Sequence, residues 1–129
     1  VINKLKYHGV ISEASISPSS GVNKDFYVPL FKSYPNLIDL VDYQFQNEEA
    51  TVPDPDALVA KYNSLKELYT KEKLFAGYSA ENKDWGTVSP IVFFLGAAEI
   101  LNNEGAGFSI VYHNYYKPNS THNHGCIIS

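Results

Sequence analysis

Arginine, methionine and long apolar runs are missing from this sequence of 129 residues, which also contains a single cysteine. The formal net charge of −4 reflects 10 lysines against 14 acidic residues, whereas nucleic-acid-binding proteins usually carry a basic face rich in arginine. The longest apolar stretch is interrupted by Gly96 and Glu99, and it is shorter than the roughly 20 residues that a membrane span needs. We therefore expect neither a nucleic acid nor a membrane as a partner.

The remaining composition is that of a folded domain. Hydrophobic residues make up 44% of the chain and charged residues 19%, which argues against intrinsic disorder. The length is enough for one domain, and Cys126 cannot form an internal disulfide. No basic segment followed by an apolar one opens the chain, so no signal peptide is visible. Because methionine is absent, we expect a processed chain or a fragment.

Two helix starts are marked by capping residues. Asp54 or Asp56 precedes apolar residues at the spacing of one helix face, and Ser89 stands just before Pro90, where a second helix is predicted to run through Leu101. A third, short helix is predicted from Asp25 to Phe31 after a loop at residues 18–21.

Strands are predicted between these helices, at residues 10–17, 37–45, 74–79 and 107–112. Strands that alternate with helices predict an α/β fold with a parallel sheet and right-handed crossovers. The sequence allows two arrangements of this sheet. One is a small doubly wound sheet that binds a partner or a nucleotide, although no phosphate loop is present; the other is part of a (β/α)8 barrel, which needs about 250 residues.

Four short motifs occur in one order: SISPSS (Ser15 to Ser20), VDYQF (Val41 to Phe45), KLFAG (Lys73 to Gly77) and GFSIVY (Gly107 to Tyr112). This order resembles the later part of glycoside hydrolase family 18, in particular the narbonin-like, chitinase-like proteins of legumes. The resemblance implies that residues 1–116 are the C-terminal half of a TIM (β/α)8 barrel, with barrel strands 5 to 8. Residues 117–129 are then an irregular tail.

The same resemblance implies a functional expectation. Active members of the family carry a general acid Glu on barrel strand 4, and the substrate's own N-acetyl group attacks the anomeric carbon. That strand would lie upstream of Val1. We expect a chitinase-like protein without hydrolytic activity, in a storage or carbohydrate-binding role. The alternative is a fragment of an active chitinase or N-acetylglucosaminidase whose catalytic Glu lies on the missing N-terminal half.

A second alignment of the central strand is also considered. Asp39, Asp42, Gln44 and Gln46 have the spacing of the family's acidic motif, with amides in the last two places, so the segment can be interpreted as a disabled strand 4. The sequence that follows fits strand 6 better. Both interpretations agree on the chemistry, because an amide such as Gln46 cannot serve as a general acid.

The candidate sugar-binding residues are Gln44, Gln46, Asn47 and Tyr112. A period of two places Gln44 and Gln46 on one side of their strand, at the mouth of a barrel. The resemblance implies that Gln44 and Asn47 match residues of active plant chitinases, and that Gln46 replaces a Tyr that contacts the N-acetyl group. Tyr112 lies beside Val111, where the family usually has a Trp. The alternative for the glutamines is a buried polar layer that bonds within the barrel.

The other candidate groups are expected to be structural. Glu48 and Glu49 are interpreted as a solvated acidic loop, and Trp85 as packing on its own loop. Tyr112, although a candidate, is also more often a packing residue than a platform for a sugar ring. The tail residues His122, His124 and Cys126 have no fourth ligand nearby, so we expect no metal and no cofactor. Asn119 begins a glycosylation sequon, which matters only in a secreted protein.

The expected partners follow from the half-barrel. A glycan such as a chito-oligosaccharide is the expected ligand, and the missing N-terminal half or a second copy is expected to cover the sheet edges at residues 10–17 and 107–112. A single cysteine favours a cytosolic or seed storage compartment over secretion, because secreted plant chitinases are commonly disulfide-bonded.

Overall fold

A computed structural model describes residues 1–48, 50–79, 87–104, 108–112 and 124–128, the last two ranges and residue 104 for their backbone. The helices are α1 (Ile2–Tyr7), α2 (Ser20–Val22), α3 (Val28–Ser33), α4 (Pro55–Leu68) and α5 (Pro90–Glu104). A π-helical turn spans Asn23–Tyr27 and a 3-10 turn spans Phe45–Asn47. The strands are β1 (Ser15–Ile16), β2 (Leu40–Gln44), β3 (Leu74–Ser79), β4 (Phe108–Tyr112) and β5 (His124–Ile128).

The five strands form one sheet in the order β1-β2-β3-β4-β5. The first four are parallel, with Ser15 beside Leu40, Val41 beside Leu74, and Ala76 beside Phe108. Each crossover therefore moves one strand further in the same direction. With right-handed crossovers this keeps the connecting helices on one face of the sheet, whereas a doubly wound sheet reverses direction.

The core lies between this face and the helices. Val41 and Tyr43 from β2 and Leu74, Ala76 and Tyr78 from β3 are buried there. The ring of Tyr78 stacks on Phe93 of α5 with 4.7 Å between centroids. The opposite side of β2 and β3, called the open face below, consists of half-exposed side chains; its members are Leu40, Asp42, Gln44, Phe75 and Ser79. The alternation of apolar and polar residues thus separates a packed face from an accessible one.

Helices α4 and α5 begin where the sequence predicts. Asp54 caps α4, because its side chain accepts a hydrogen bond from the Ala57 amide at 2.8 Å, and Pro55 follows at the first helical position. Pro90 opens α5, which continues three residues beyond the predicted end at Leu101. The two helices approach closely at Gly96, where an added Cβ would lie 2.9 Å from Leu58 Cδ2.

The segment around Asp25 differs from the prediction. Helical structure begins at Ser20, inside the predicted loop, and Asp25 lies within the π-helical turn rather than at a helix start. Tertiary contact explains the difference, since the side chain of Asn23 is buried and accepts a hydrogen bond from the Tyr69 hydroxyl. Capping patterns in the local sequence do not report such a contact.

The first two strands are shorter than predicted. The amide of Val10 bonds back to the Leu5 carbonyl at 2.9 Å, so the chain after α1 reaches the sheet only at Ser15. The amide of Leu37 bonds to the Tyr34 carbonyl in a turn at 3.1 Å, and β2 begins at Leu40. Backbone groups that are already bonded in turns cannot join the strand ladder.

The prediction of an irregular tail at residues 117–129 is wrong for residues 124–128. These form β5, which pairs antiparallel with β4 from Phe108 beside Ile128 to Tyr112 beside His124. Residues 117–123 and 129 lie outside the described part of the chain. The predicted free edge at 107–112 is consequently covered by β5, whereas β1 pairs only with β2 among the described strands. The local sequence of the tail does not predict β5, because the strand is held by pairing with β4, which lies earlier in the chain.

Candidate functional site at the carboxyl ends of the strands

The candidate site lies at the edge where the parallel strands end. Gln44 is the last residue of β2 and pairs with Gly77 of β3, whose own last residue is Ser79. Gln46 follows in the 3-10 turn. Because the carboxyl ends of parallel strands meet at one edge, ligands of α/β proteins commonly bind there.

A chain of side-chain hydrogen bonds joins the two glutamines. Gln44 Nε2 donates to the carbonyl oxygen of Asp42 at 3.2 Å, and Gln46 Nε2 donates to Gln44 Oε1 at 3.1 Å. Gln46 Oε1 in turn accepts a hydrogen bond from the backbone amide of Ser79 at 3.3 Å. The chain, called the glutamine relay below, therefore connects the end of β2 to the end of β3.

The predicted site residues differ in accessibility. Gln44 is half-buried on the open face, Gln46 is only 8% exposed, and Asn47 is exposed at the end of the turn. The carbonyl of Gln46 also accepts a hydrogen bond from the Val88 amide at 2.9 Å. The structure thus brings Gln44 and Gln46 together and leaves Asn47 on the surface beyond them.

Gly77 makes room for the relay. A Cβ at this position would lie 2.3 Å from Asp42 Oδ1 and 2.6 Å from Gln44 Nε2, closer than atoms in proteins approach. The Gln44 amide therefore lies across the backbone of β3 at a place where only glycine leaves space. Gly77 is not among the site residues predicted from the sequence, although a glycine within a predicted strand signals a close approach.

Tyr112 is placed by backbone register alone. Ser79 pairs with Val111, and Tyr112 is the next residue of β4, opposite His124 of β5. The participation of Tyr112 in the site stays a prediction.

Most of the remaining tail and loop candidates lie outside the described residues. These are Glu49, Trp85, Asn119 and His122, while His124 and Cys126 lie in β5. Within the described ranges, no group of three His, Cys, Asp or Glu side chains is arranged to hold a metal ion. Nor is any helix in those ranges long and apolar enough to cross a membrane.

Glu48 is not the solvated loop residue that the sequence suggests. It is 2% exposed and accepts hydrogen bonds from the Tyr43 hydroxyl at 2.5 Å and the Thr51 hydroxyl at 2.7 Å. Lys61 Nζ of α4 lies 3.7 Å from Glu48 Oε2. Burial, the hydrogen bond to Glu48 and its negative charge raise the pKa of the Tyr43 hydroxyl far above its usual value. Through these contacts with Tyr43, Thr51 and Lys61, Glu48 fixes the loop after β2 to the helical layer.

At the other end of β2, Asp39 joins α1 to the sheet. Its carboxylate accepts hydrogen bonds from the Lys6 side chain and from the Ala14 amide. The hydrogen bond from Lys6, followed by that from Ala14, lowers the pKa of the Asp39 carboxyl. Asp39 therefore has a structural partner at the amino end of the strand, opposite to the glutamine relay.

Comparison with solved structures gives a clear similarity. A family 18 chitinase from Crocus vernus matches with a TM-score of 0.69 and 32% sequence identity over 84% of this chain. The catalytic domain of a family GH18 chitinase from the fern Peteris ryukyuensis matches with a TM-score of 0.68, again at 32% identity over 84% of the chain. This chain has a family 18 chitinase-like fold.

The match covers only part of the chitinases. The chain spans 39% of the length of each of these two structures. No protein-family model and no curated protein sequence matches the chain. The similarity to the two chitinase structures confirms the predicted resemblance to glycoside hydrolase family 18 for the fold of this chain.

Proposed function

We propose that the chain is a half-barrel of a chitinase-like protein, with β1 to β4 as barrel strands 5 to 8, and that its strand ends bind a chitin-type glycan without hydrolysing it. The sequential order of four parallel strands supports the half-barrel, because a (β/α)8 barrel winds in one direction throughout. The narbonin-like character and a storage role belong to the same proposal and rest on the sequence motifs.

The observation that carries the binding proposal is the half-buried amide of Gln44 at the carboxyl edge of the sheet. Hydrogen bonds hold this amide on both sides, and the side chain remains partly accessible from the open face. A preorganised amide suits a sugar, whose hydroxyl and acetamido groups need fixed donors and acceptors. The two similar structures are those of chitinases, which supports an N-acetylglucosamine oligomer as the ligand.

The contacts of Glu48 support the absence of hydrolysis by this chain. A general acid must reach the leaving oxygen of the substrate, directly or through one water. The Glu48 carboxylate is buried and bonded to Tyr43 and Thr51 instead. We expect no turnover of a chromogenic N-acetylglucosamine oligomer; turnover that disappears in Glu48→Gln would contradict this part of the proposal.

Titration calorimetry with chito-oligosaccharides tests binding. Replacement of Gln44 by Ala should weaken binding about fivefold, since one hydrogen bond contributes on the order of 1 kcal/mol. The matched control is Asn63→Ala, which removes an exposed amide from α4 on the helical side of the sheet. Equal affinities of the wild type and Gln44→Ala, or no binding by the wild type, would refute the glycan proposal.

A second candidate is favoured by the length of the match. Because the chain spans 39% of each matched chitinase, it fits a fragment of an active chitinase or N-acetylglucosaminidase whose catalytic Glu lies on a missing N-terminal half. Extension of the sequence upstream of Val1 discriminates the two. A Glu at the end of barrel strand 4 supports the enzyme, and a Gln or a disrupted motif supports the inactive protein.

The half-barrel also predicts a partner along β1. In the described sheet, β1 has a neighbour on one side only, and the open face lacks the layers that opposite barrel strands supply. We propose that the missing half-barrel or a second copy covers them. Light scattering on the 129-residue chain should show association, and a monodisperse monomer with cooperative unfolding would contradict the half-barrel.

A further inference from the structure

The direction of the glutamine relay is determined by its two ends. At one end the partner is the Ser79 amide, which can only donate, so the atom of Gln46 that faces it must be the oxygen. At the other end the partner is the Asp42 carbonyl, which can only accept, so the atom of Gln44 that faces it must be the nitrogen. Rotating either amide by half a turn would oppose two donors or two acceptors.

We propose that Gln46 is a positioning residue that sets the orientation of the Gln44 amide, so that Gln44 presents its remaining N–H to an oxygen acceptor of the glycan. Among the residues that the structure describes, Gln44 Nε2 has one partner, the Asp42 carbonyl, so the second of its two hydrogens can donate to a ligand. The ligand part of this inference rests on the proposed glycan binding. The orientation part stands on the relay geometry alone.

The surroundings of Gln46 explain why it positions rather than binds. Its side chain is only 8% exposed, and its amide is engaged on both sides, by Ser79 and by Gln44. Its backbone carbonyl is bonded to the Val88 amide, which ties the 3-10 turn to the segment before α5. The side chain is therefore held by the ends of two strands and the backbone by a loop, as expected of a group that orients a neighbour.

The sequence offers an unusually simple probe, because Gln44 and Gln46 are its only glutamines. Selective ¹⁵N labelling of glutamine side chains gives one pair of NH₂ resonances for each of them. In Gln46→Glu only one pair remains and is assigned to Gln44. The glutamate still accepts from Ser79 but cannot donate to Gln44. Its other oxygen then opposes Gln44 Oε1, so the Gln44 amide must move away from this contact or turn to donate to the carboxylate.

We expect the Gln44 resonances to move in Gln46→Glu and the affinity for a chito-oligosaccharide to fall about tenfold, the loss of one well-oriented hydrogen bond near a new charge. The matched control is Asn63→Asp, which adds the same charge at an exposed residue of α4, on the helical side of the sheet, and should change neither measurement. Unmoved Gln44 resonances in a folded Gln46→Glu protein would overturn the positioning role.

A second variant keeps the test decisive if Gln46→Glu does not fold. Gly77→Ala places a Cβ 2.3 Å from Asp42 Oδ1 and 2.6 Å from Gln44 Nε2, so it displaces the Gln44 amide while Gln46 itself keeps its side chain. Through the relay, the Gln46 resonances should also move, and unchanged Gln46 resonances would overturn the proposal. If the wild-type protein binds no glycan, the proposed function is refuted. The resonances still show in that case whether Gln46 orients the Gln44 amide. Moved Gln44 resonances with unchanged affinity would overturn the ligand part alone.

Discussion

Replacement of Tyr43 by Phe should destabilise the protein by removing one hydrogen bond to a buried carboxylate. The Tyr43 hydroxyl donates to Glu48, whose side chain is nearly inaccessible to water. The phenylalanine ring keeps the edge contact with Phe45, where the ring centroids are 5.1 Å apart. The variant therefore tests the hydroxyl and leaves the packing of the ring in place.

The expected loss is about 1.5–3 kcal/mol, the usual contribution of a hydrogen bond to a charged partner. Thr51 and Lys61 still face the carboxylate, which keeps the loss below that of a fully orphaned charge. Tyr78→Phe is the matched control, since the Tyr78 hydroxyl donates to the neutral carbonyl of Val88 at 2.8 Å within the same core. Its loss should be about 0.5–1.5 kcal/mol.

Urea unfolding followed by circular dichroism measures both variants. For a denaturant slope of about 2 kcal/mol/M, a loss of about 2 kcal/mol lowers the midpoint by about 1 M. The comparison of midpoints requires that the variants have equal denaturant slopes and that different probes give coincident unfolding transitions. A Tyr43→Phe midpoint equal to or above that of Tyr78→Phe would refute the buried Glu48 cluster.

Three further outcomes are expected. Burial raises the pKa of Tyr69 from 10.0 to about 12. The contribution of the neutral Tyr69 to the free energy of unfolding is therefore fully present below pH 10 and is lost as the pH rises through 12. Unfolding measured alongside tyrosinate absorbance should show this decline. Asp54→Ala should cost about 1 kcal/mol in thermal unfolding by removing the cap of α4, whereas Asp56→Ala, which has no cap bond, should cost less. Gly96→Ala should destabilise the protein because the new Cβ meets Leu58, a packing conflict of about 1–3 kcal/mol that exceeds the roughly 1 kcal/mol gain in helix propensity; a stabilised variant would contradict the close contact of α4 and α5.

The relation between β2 and its loop shows where local sequence suffices and where it does not. A period of two predicted that Gln44 and Gln46 share one side of their strand. The structure places Gln44 on the open face, with Val41 and Tyr43 on the packed face, whereas Gln46 lies beyond the strand in the 3-10 turn. The same alternation cannot report that Glu48, a charged residue four positions after the end of β2, is buried against Tyr43 and Lys61. Burial of a charge depends on partners that folding brings from a helix.

Sequence by itself determined the elements whose signals are local. A cap of α4 at Asp54 or Asp56, of which the structure uses Asp54, the start of α5 at Pro90 and the alternation of strands and helices all depend on residues close together in the chain. Tertiary structure alone decided the glutamine relay, the space at Gly77 and the pairing of β5 with β4. Each of these joins residues about 12 to 35 positions apart, and a periodic pattern carries information about one face of one element and none about which other element packs against it.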